Sequence, residues 1–310
     1  MSAVQGSETL GVIVLSYGHD EEFTPLVRDL LDRHGLAPDQ ITVAHNPFGA
    51  EDGWSPTLPE GVRLVRLPDN RGYAGGMNEA ILSSGTTRWL LLLTHDARLE
   101  EGSLPAMLQA GERDQDVGIV GPRLMLEDGS VWSTGVNVRL GVARHVSALP
   151  PGSQPIDRDA VDGTILLVRP ELIRRIGGFE ERFFMYWEET EFCLRARRAG
   201  WRVVVAPDAV AVTRPGSTRR HAVHAYLLTR NGLAFGWADA RLLGLAGQLW
   251  DAGLRCFNSM PHPIATQWRN RRLWRVAAER TIGTGAGALD FVRRRWGKPP
   301  ASLRRRSDIA

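Results

Sequence analysis

The side chains best suited to chemistry fall at the ends of strand-like runs and at the start of one helix. Thr94-His95-Asp96 directly follows Leu90-Leu91-Leu92-Leu93, a run that is apolar at every position. Such a run reads as a strand buried on both faces, and the carboxyl edge of a central strand is where open α/β sheets take their ligands. Asp96 there offers a carboxylate to a ligand, or caps a helix starting near Glu101. Ser16-Tyr17-Gly18 and His45-Asn46 end two other strand-like runs and belong to the same kind of edge. Gly75-Gly76 permits a close backbone approach, either to a ligand or within a tight loop-to-helix turn. The stretch Phe183-Phe184-Met185-Tyr186-Trp187-Glu188-Glu189 opens a helix that carries a third acid, Glu191. A carboxylate beside Tyr186 and Trp187 loses hydration, which raises its pKa toward the range of a general base. Acids in a first turn are also what the helix dipole favours without any catalysis.

The elements that must position these groups follow from periodicity. Val12-Ile13-Val14-Leu15 and Ile41-Thr42-Val43-Ala44 are short β-branched runs ended by polar or turn residues, and 62–66 and 89–93 read as further strands. Between them, Phe23, Leu26, Val27, Leu30 and Leu31 keep helical spacing over 21–34, and 74–83 forms a second helix. Strands alternating with helices predict an α/β fold with a mostly parallel sheet flanked by helices. Beyond Gly121 the pattern changes to short strands, with Asp128-Gly129 as a hairpin turn, a loop over 149–155, a strand 164–168 and a short helix ending at Gly177-Gly178.

Several segments share an order and spacing that is similar to glycosyltransferase family 2, in its rhamnosyltransferase-like branch. They are Val12-Ile13-Val14-Leu15-Ser16-Tyr17, Asn70-Arg71-Gly72-Tyr73-Ala74-Gly75-Gly76-Met77-Asn78, 90–96, Val117-Gly118-Ile119-Val120-Gly121-Pro122-Arg123, Gly177-Gly178-Phe179, 183–193 and Arg230-Asn231. The resemblance implies a GT-A (Rossmann-like) catalytic domain over 1–240, with a nucleotide-sugar half (10–120) and an acceptor half (121–240), followed by a helical basic extension (241–310). It implies inverting transfer of a hexose or deoxyhexose from a nucleoside diphosphate to a saccharide, lipid-linked or natural-product acceptor. Ser16, Tyr17, His45 and Asn46 then line the nucleoside pocket, and Asn70, Arg71, Gly72, Gly76 and Asn78 approach ribose and phosphate. Thr94, His95 and Asp96 form the DxD-like motif, with Asp96 holding Mg²⁺ or Mn²⁺. Glu189 is the general base, Glu188 orients the acceptor, and Trp187 with Tyr186 forms the acceptor platform.

The chain departs from that pattern at five places. Thr94 stands where Asn or Asp is common, His95 is unusual, Thr213 replaces a metal-binding His, His45 replaces an Asp, and Glu189 replaces an Asp. His95, His221, His224 or arginines such as Arg71 and Arg214 are the alternatives for charge relief. A catalytically silent homologue kept for binding is the rival reading. A sugar nucleotidyltransferase lacks its glycine-rich loop here, and a dehydrogenase lacks the dinucleotide fingerprint.

Composition bounds the rest. The chain has 310 residues, 43% hydrophobic, and a net charge of +3, enough to bury a large core without staples. Two cysteines, Cys193 and Cys256, are too few for a disulfide framework and suit a reducing cytoplasm. From Ala240 onward there are 14 basic and 4 acidic residues, against 38 and 35 in the whole chain, a surplus of +10 that leaves the preceding residues at −7. Basic amphipathic segments with tryptophan suit an anionic membrane surface, or else a helical cover or dimer contact. No nucleic-acid recognition motif accompanies the charge, so no nucleic-acid partner is expected.

Overall fold

The computed structural model describes residues 10–17, 23–47, 57–148, 152, 154–213, 221–260 and 271–303. The expectations that fall on Gly18, Arg214, and most of the 149–155 loop lie outside them. In chain order the elements are β1 (Leu10–Tyr17), α1 (Phe23–Asp32), β2 (Ile41–Asn46), β3 (Arg63–Arg66), α2 (Gly72–Ser83), β4 (Trp89–Thr94), β5 (Ala97–Leu99), α3 (Ser103–Glu112) and β6 (Val117–Met125). There follow β7 (Val131–Ser133), β8 (Val136–Arg139), β9 (Val142–His145), β10 (Ile156–Asp157), β11 (Ile165–Val168), α4 (Pro170–Ile176), α5 (Glu188–Arg198), β12 (Arg202–Thr213), α6 (His221–Ser259) and α7 (Arg271–Val292).

The main sheet has the order β10-β12-β6-β11-β4-β1-β2-β3, with β5 on β12 and β7 on β6. β1, β2, β3 and β4 are parallel, and β11 runs antiparallel between β4 and β6. The all-leucine strand is central as expected, and Trp89, Leu90, Leu91, Leu92 and Leu93 are all buried. Leu26, Val27 and Leu30 of α1 and Leu104 and Met107 of α3 cover one face with the side chains of β1, β2 and β4, the layered solution that hides an apolar sheet. The expected hairpin is present, with Gly129 at φ +81° turning β6 into the antiparallel β7. Helix α2 starts two residues earlier than its periodicity predicts, at Gly72, whose φ of +71° starts the turn.

Chain contacts divide the molecule into two compact units: 1–137, 144–180 and 189–215 form the first, and 138–143, 181–188 and 216–310 the second. The boundary expected at 240 falls inside α6, at a sharp break where Ala240 and Arg241 leave helical geometry. The second unit is built on glycine. A side chain at Gly283 would strike the Ala222 carbonyl, one at Gly287 the Tyr226 carbonyl, and one at Gly244 the Gly236 carbonyl. Helix backbones therefore meet backbones, and Phe184, Ala222, Val223, Tyr226, Leu227 and Leu303 close a small core beside them.

In the first unit the corresponding close contact is at Gly76, where a Cβ would lie 2.7 Å from both Asn46 Nδ2 and Leu15 Cδ1. Gly76→Ala is expected to destabilise the protein by about 1–3 kcal/mol through overpacking. Gly85→Ala, facing open space, is the matched control and should leave the urea midpoint unchanged. Equal midpoints for the two variants would remove the packing role assigned to Gly76.

Candidate active site

Strand register assembles the edge. Ser16 pairs with His45, Tyr17 with Asn46 and Leu15 with Thr94, so the ends of β1, β2 and β4 lie side by side. The His95 amide donates to the Leu15 carbonyl at 3.2 Å, and the Thr94 amide to the Thr164 carbonyl at 3.0 Å. Ser16 and His45 are buried. The Ser16 hydroxyl has no hydrogen-bond partner among the described residues, an uncommon state for a buried polar atom. Thr213, at the end of β12, pairs with Ala97, next to Asp96. The position where a metal-binding histidine is common thus stands beside Asp96 but carries a buried hydroxyl.

Three residues expected at the nucleotide also engage the protein. Asn46 donates from Nδ2 to the Gly72 carbonyl at 2.7 Å and accepts the Arg71 amide on Oδ1 at 3.1 Å. Asn78 donates to the Phe179 carbonyl at 2.9 Å and accepts its amide at 2.8 Å. Gly76 makes room for Asn46 and Leu15. A side-chain amide has two N–H donors and two acceptor lone pairs, so these backbone contacts leave each asparagine further hydrogen-bonding capacity. Asn70 accepts the Gly72 amide at 2.8 Å and shapes the turn into α2. The Arg71 side chain pairs with Glu79 at 2.8 Å, both ends partly exposed.

Helix α2 also reaches toward the acid. Tyr73 donates its hydroxyl to the Gly163 carbonyl at 2.6 Å, and the Gly163 backbone lies against Glu189, whose Cβ and Cγ would be 3.1 and 3.2 Å from a side chain there. Asp162, the residue before, accepts the amide and the hydroxyl of Thr164 at 3.0 and 2.5 Å. Burial first, and the charge of Asp162 second, push Glu189 up from its ordinary 4.5 to about 7, against the Thr190 hydroxyl that favours the anion. Sequence reasoning finds Glu189 but not Asp162, which lies in a turn with no periodic signal. Cys193 is buried and its thiol is pushed up to about 12, so it is no nucleophile.

In the second unit, Phe184, Tyr186 and Trp187 all have positive φ, at +68°, +71° and +78°, conformations that bulky residues adopt only under constraint. The constraint is the Arg230-Asn231 pair. Asn231 Nδ2 donates to the carbonyls of Phe183, Met185 and Tyr186 at 2.8, 2.9 and 2.9 Å, and its Oδ1 accepts Arg230 Nε at 2.9 Å. Arg230, fully buried, donates to the Phe183 carbonyl at 3.0 Å and the Gly297 carbonyl at 2.7 Å. The pair clamps backbone carbonyls. Trp187 packs on Phe235 with ring centroids 4.8 Å apart and is 9% exposed. Its indole N–H has no partner among the described residues. Tyr186 meets His224 edge to face at 5.0 Å. Burial, then Arg280 and Arg255, push His224 down to about 4, and burial lowers His221 as well. Glu188 is buried at the first position of α5.

Comparison with known proteins adds the following. Residues 1–232 match the family described as Glycosyltransferase like family 2. The N-acetylglucosaminyl-diphospho-decaprenol L-rhamnosyltransferase of Mycobacterium tuberculosis is 27% identical over 238 residues, covering 66% of this chain and 75% of that protein. A low-salt glycan biosynthesis hexosyltransferase of Haloferax volcanii is 24% identical over 200 residues, 62% of each chain. Among solved structures, GalNAc-T7 with UDP, GalNAc and Mn2+ superposes with a TM-score of 0.59 at 11% identity, over 93% of this chain and 58% of that one. S. aureus TarS 1-349 superposes with a TM-score of 0.51 at 14% identity, over 92% of this chain and 91% of that one. At such identities the structural likeness shows the fold alone, the GT-A fold.

The raised Glu189 makes a signed prediction. An acid whose folded pKa exceeds its unfolded one contributes stability that is fully present below the unfolded value, here about 4.5, and lost as pH rises through about 7. Urea unfolding followed from pH 4 to 8 should show that loss in the native chain and a flatter profile in Glu189→Gln. Asp162→Asn should move the loss to lower pH. An unchanged profile in Glu189→Gln would rule out Glu189 as the titrating group.

Proposed function

The chain belongs to glycosyltransferase family 2, and on that footing we propose that Glu189 is the base of an inverting sugar transfer from a nucleoside diphosphate. The donor sugar is a hexose or deoxyhexose, and the acceptor a saccharide, lipid-linked or natural-product hydroxyl. The observation that carries this reading is a half-buried carboxylate in the first turn of α5, set against the Gly163 backbone beside Asp162, surroundings that raise its pKa toward neutral as proton abstraction at pH 7 calls for.

In the proposed step Glu189 takes the proton of the acceptor hydroxyl as its oxygen bonds to the anomeric carbon. The bond from that carbon to the diphosphate oxygen breaks, and the diphosphate leaves with the electron pair. Attack opposite the leaving group inverts the anomeric centre. The edge formed by Ser16, Tyr17, His45 and Thr94-His95-Asp96 is the proposed nucleotide side, with Asn70, Arg71 and Gly72 at its margin. Asn46, Gly76 and Asn78 hold that margin in place. Glu188 orients the acceptor from within the fold, and Trp187 and Tyr186 shape the acceptor side from a clamped, strained loop.

Among the described residues no cluster of three or more His, Cys, Asp or Glu gathers as a metal cage. Magnesium-like ions ask for less, one or two carboxylates with the rest of the shell from substrate phosphates and water, and Asp96 at the β4 edge suits that. Mg²⁺ or Mn²⁺ bound there with the nucleotide would relieve the charge of the departing diphosphate. No described helix is long and apolar enough to cross a membrane. The proposed setting is the cytoplasm, at the inner membrane face when the acceptor is lipid-linked.

Calorimetric titration of UDP, dTDP and GDP, with and without Mn²⁺ or Mg²⁺, tests the nucleotide side. One diphosphate is expected to bind, more tightly with metal, and Asp96→Ala should lose the metal-dependent part. Glu189→Gln should keep that affinity and lose on the order of 10²–10⁴ in turnover, the range of a general base. Turnover that survives Glu189→Gln, or no binding by any diphosphate, would overturn the assignment.

A further inference from the structure

The second arm of α6 and all of α7 are built inside out. Leu242, Leu243, Leu249, Trp250, Leu254, Phe257 and Met260 recur at helical spacing and are exposed, Leu242, Trp250 and Phe257 at 73, 71 and 74%. The inward face of the same arm carries Gly244, Gln248, Asp251 and Ala252, all buried. Helix α7 repeats the arrangement, with Trp274, Ile282, Leu289 and Val292 exposed and Gly283, Gly287 and Asp290 buried. The two helices meet where Cys256 Sγ lies 3.3 Å from Thr284 Oγ1, and the next residues, Phe257 and Gly285, are both exposed.

Charge around these stripes has one sign. The acids between 241 and 303 are Asp251, Glu279 and Asp290. Asp251 is buried against Arg255, Glu279 pairs with Arg275 at 3.0 Å, and Asp290 is buried and accepts the Tyr226 hydroxyl at 2.9 Å. Arg271, Arg272 and Arg275 are exposed at one end of α7, and Arg293, Arg294 and Arg295 at the other. Exposed apolar side chains massed on neighbouring helices mark an interaction site. In a two-fold dimer a patch meets itself, and this one would set like charges against each other. An anionic lipid surface answers both features, taking the apolar side chains below the headgroups and pairing the arginines with phosphate. Exposed tryptophans suit the boundary between the two.

From this arrangement we propose that the outward faces of α6 after its break and of α7 lie in the interface of an anionic bilayer and hold the enzyme on it. The attachment is peripheral, because neither helix is a membrane span. It needs neither donor nor acceptor, so its test is separate from that of the transfer reaction.

The full chain is floated with vesicles of phosphatidylcholine alone and of phosphatidylcholine mixed with phosphatidylglycerol, at low and high salt. Binding is expected on the mixed vesicles, weakened by salt. Trp250→Ser with Phe257→Ser, and separately Arg271→Glu with Arg293→Glu, should each reduce it tenfold or more. All four positions are exposed, and circular dichroism melts of both variants establish that the fold is kept. Absence of flotation on mixed vesicles, or flotation that both variants leave unchanged, overturns the proposal. So does a dimer seen by sedimentation and abolished by Trp250→Ser with Phe257→Ser, which would assign the face to a second copy of the chain.

Discussion

The approach of helix α2 to the carboxyl ends of β1 and β2 is the contact on which the catalytic unit depends. Gly76 lets the helix backbone come within side-chain distance of Leu15 and Asn46. Asn46 then fixes the helix start by taking one backbone donor and one backbone acceptor from Arg71 and Gly72. With its start pinned, α2 presents Tyr73 to the Gly163 carbonyl and Asn78 to the backbone of Phe179. The first of these holds the loop against which Glu189 rests, and the second holds the turn ahead of the acidic segment. A side chain at position 76 would therefore disturb Glu189 through two intermediates without touching it, because packed interiors transmit displacement and do not absorb it.

Placing Glu189 near Asp162 costs stability once both are charged, a cost that the proposed role as base would put to use. Desolvation is the larger contribution and the neighbouring charge the smaller. A lone buried glutamate could reach a similar pKa by deeper burial, but it would lose access to a substrate. Leaving the side chain partly exposed and adding a second carboxylate keeps the access. Asp162 itself is held by two donors from Thr164.

The sheet was legible because its strands are continuous apolar runs between turn residues, and burial on both faces leaves few other readings of four consecutive leucines. The edge residues were legible for the same reason, since position after a central strand already places Asp96. What the sequence does not carry is partnership. Asn46 and Asn78 have the same functional groups whether they meet a ribose or a backbone, and only the fold shows which backbone groups they hold. Asp162 belongs to an irregular turn, and its importance comes from a glutamate 27 positions later in the sequence. Arg230-Asn231 reads as a cationic, hydrogen-bonding pair, yet its partners are carbonyls of a left-handed loop, and such φ values in Phe184, Tyr186 and Trp187 have no sequence signature in bulky residues.

The second unit shows why amphipathic spacing alone cannot say which face is inside. Apolar side chains recur on α6 and α7 as they would on an ordinary surface helix, and the usual inference would bury them. Glycine decides otherwise. Gly236, Gly244, Gly283 and Gly287 bring helix backbones so close that no large side chain fits between them. Small residues at the contact with polar groups beside them are the packing of helices in membranes, where burying large apolar chains against protein brings little advantage over lipid. Gln248, Asp251 and Asp290 are accommodated at these contacts through hydrogen bonds and ion pairs to Gly141, Arg255 and Tyr226. With the inner face taken by glycine and paired polar groups, leucine and tryptophan have only the outside to occupy.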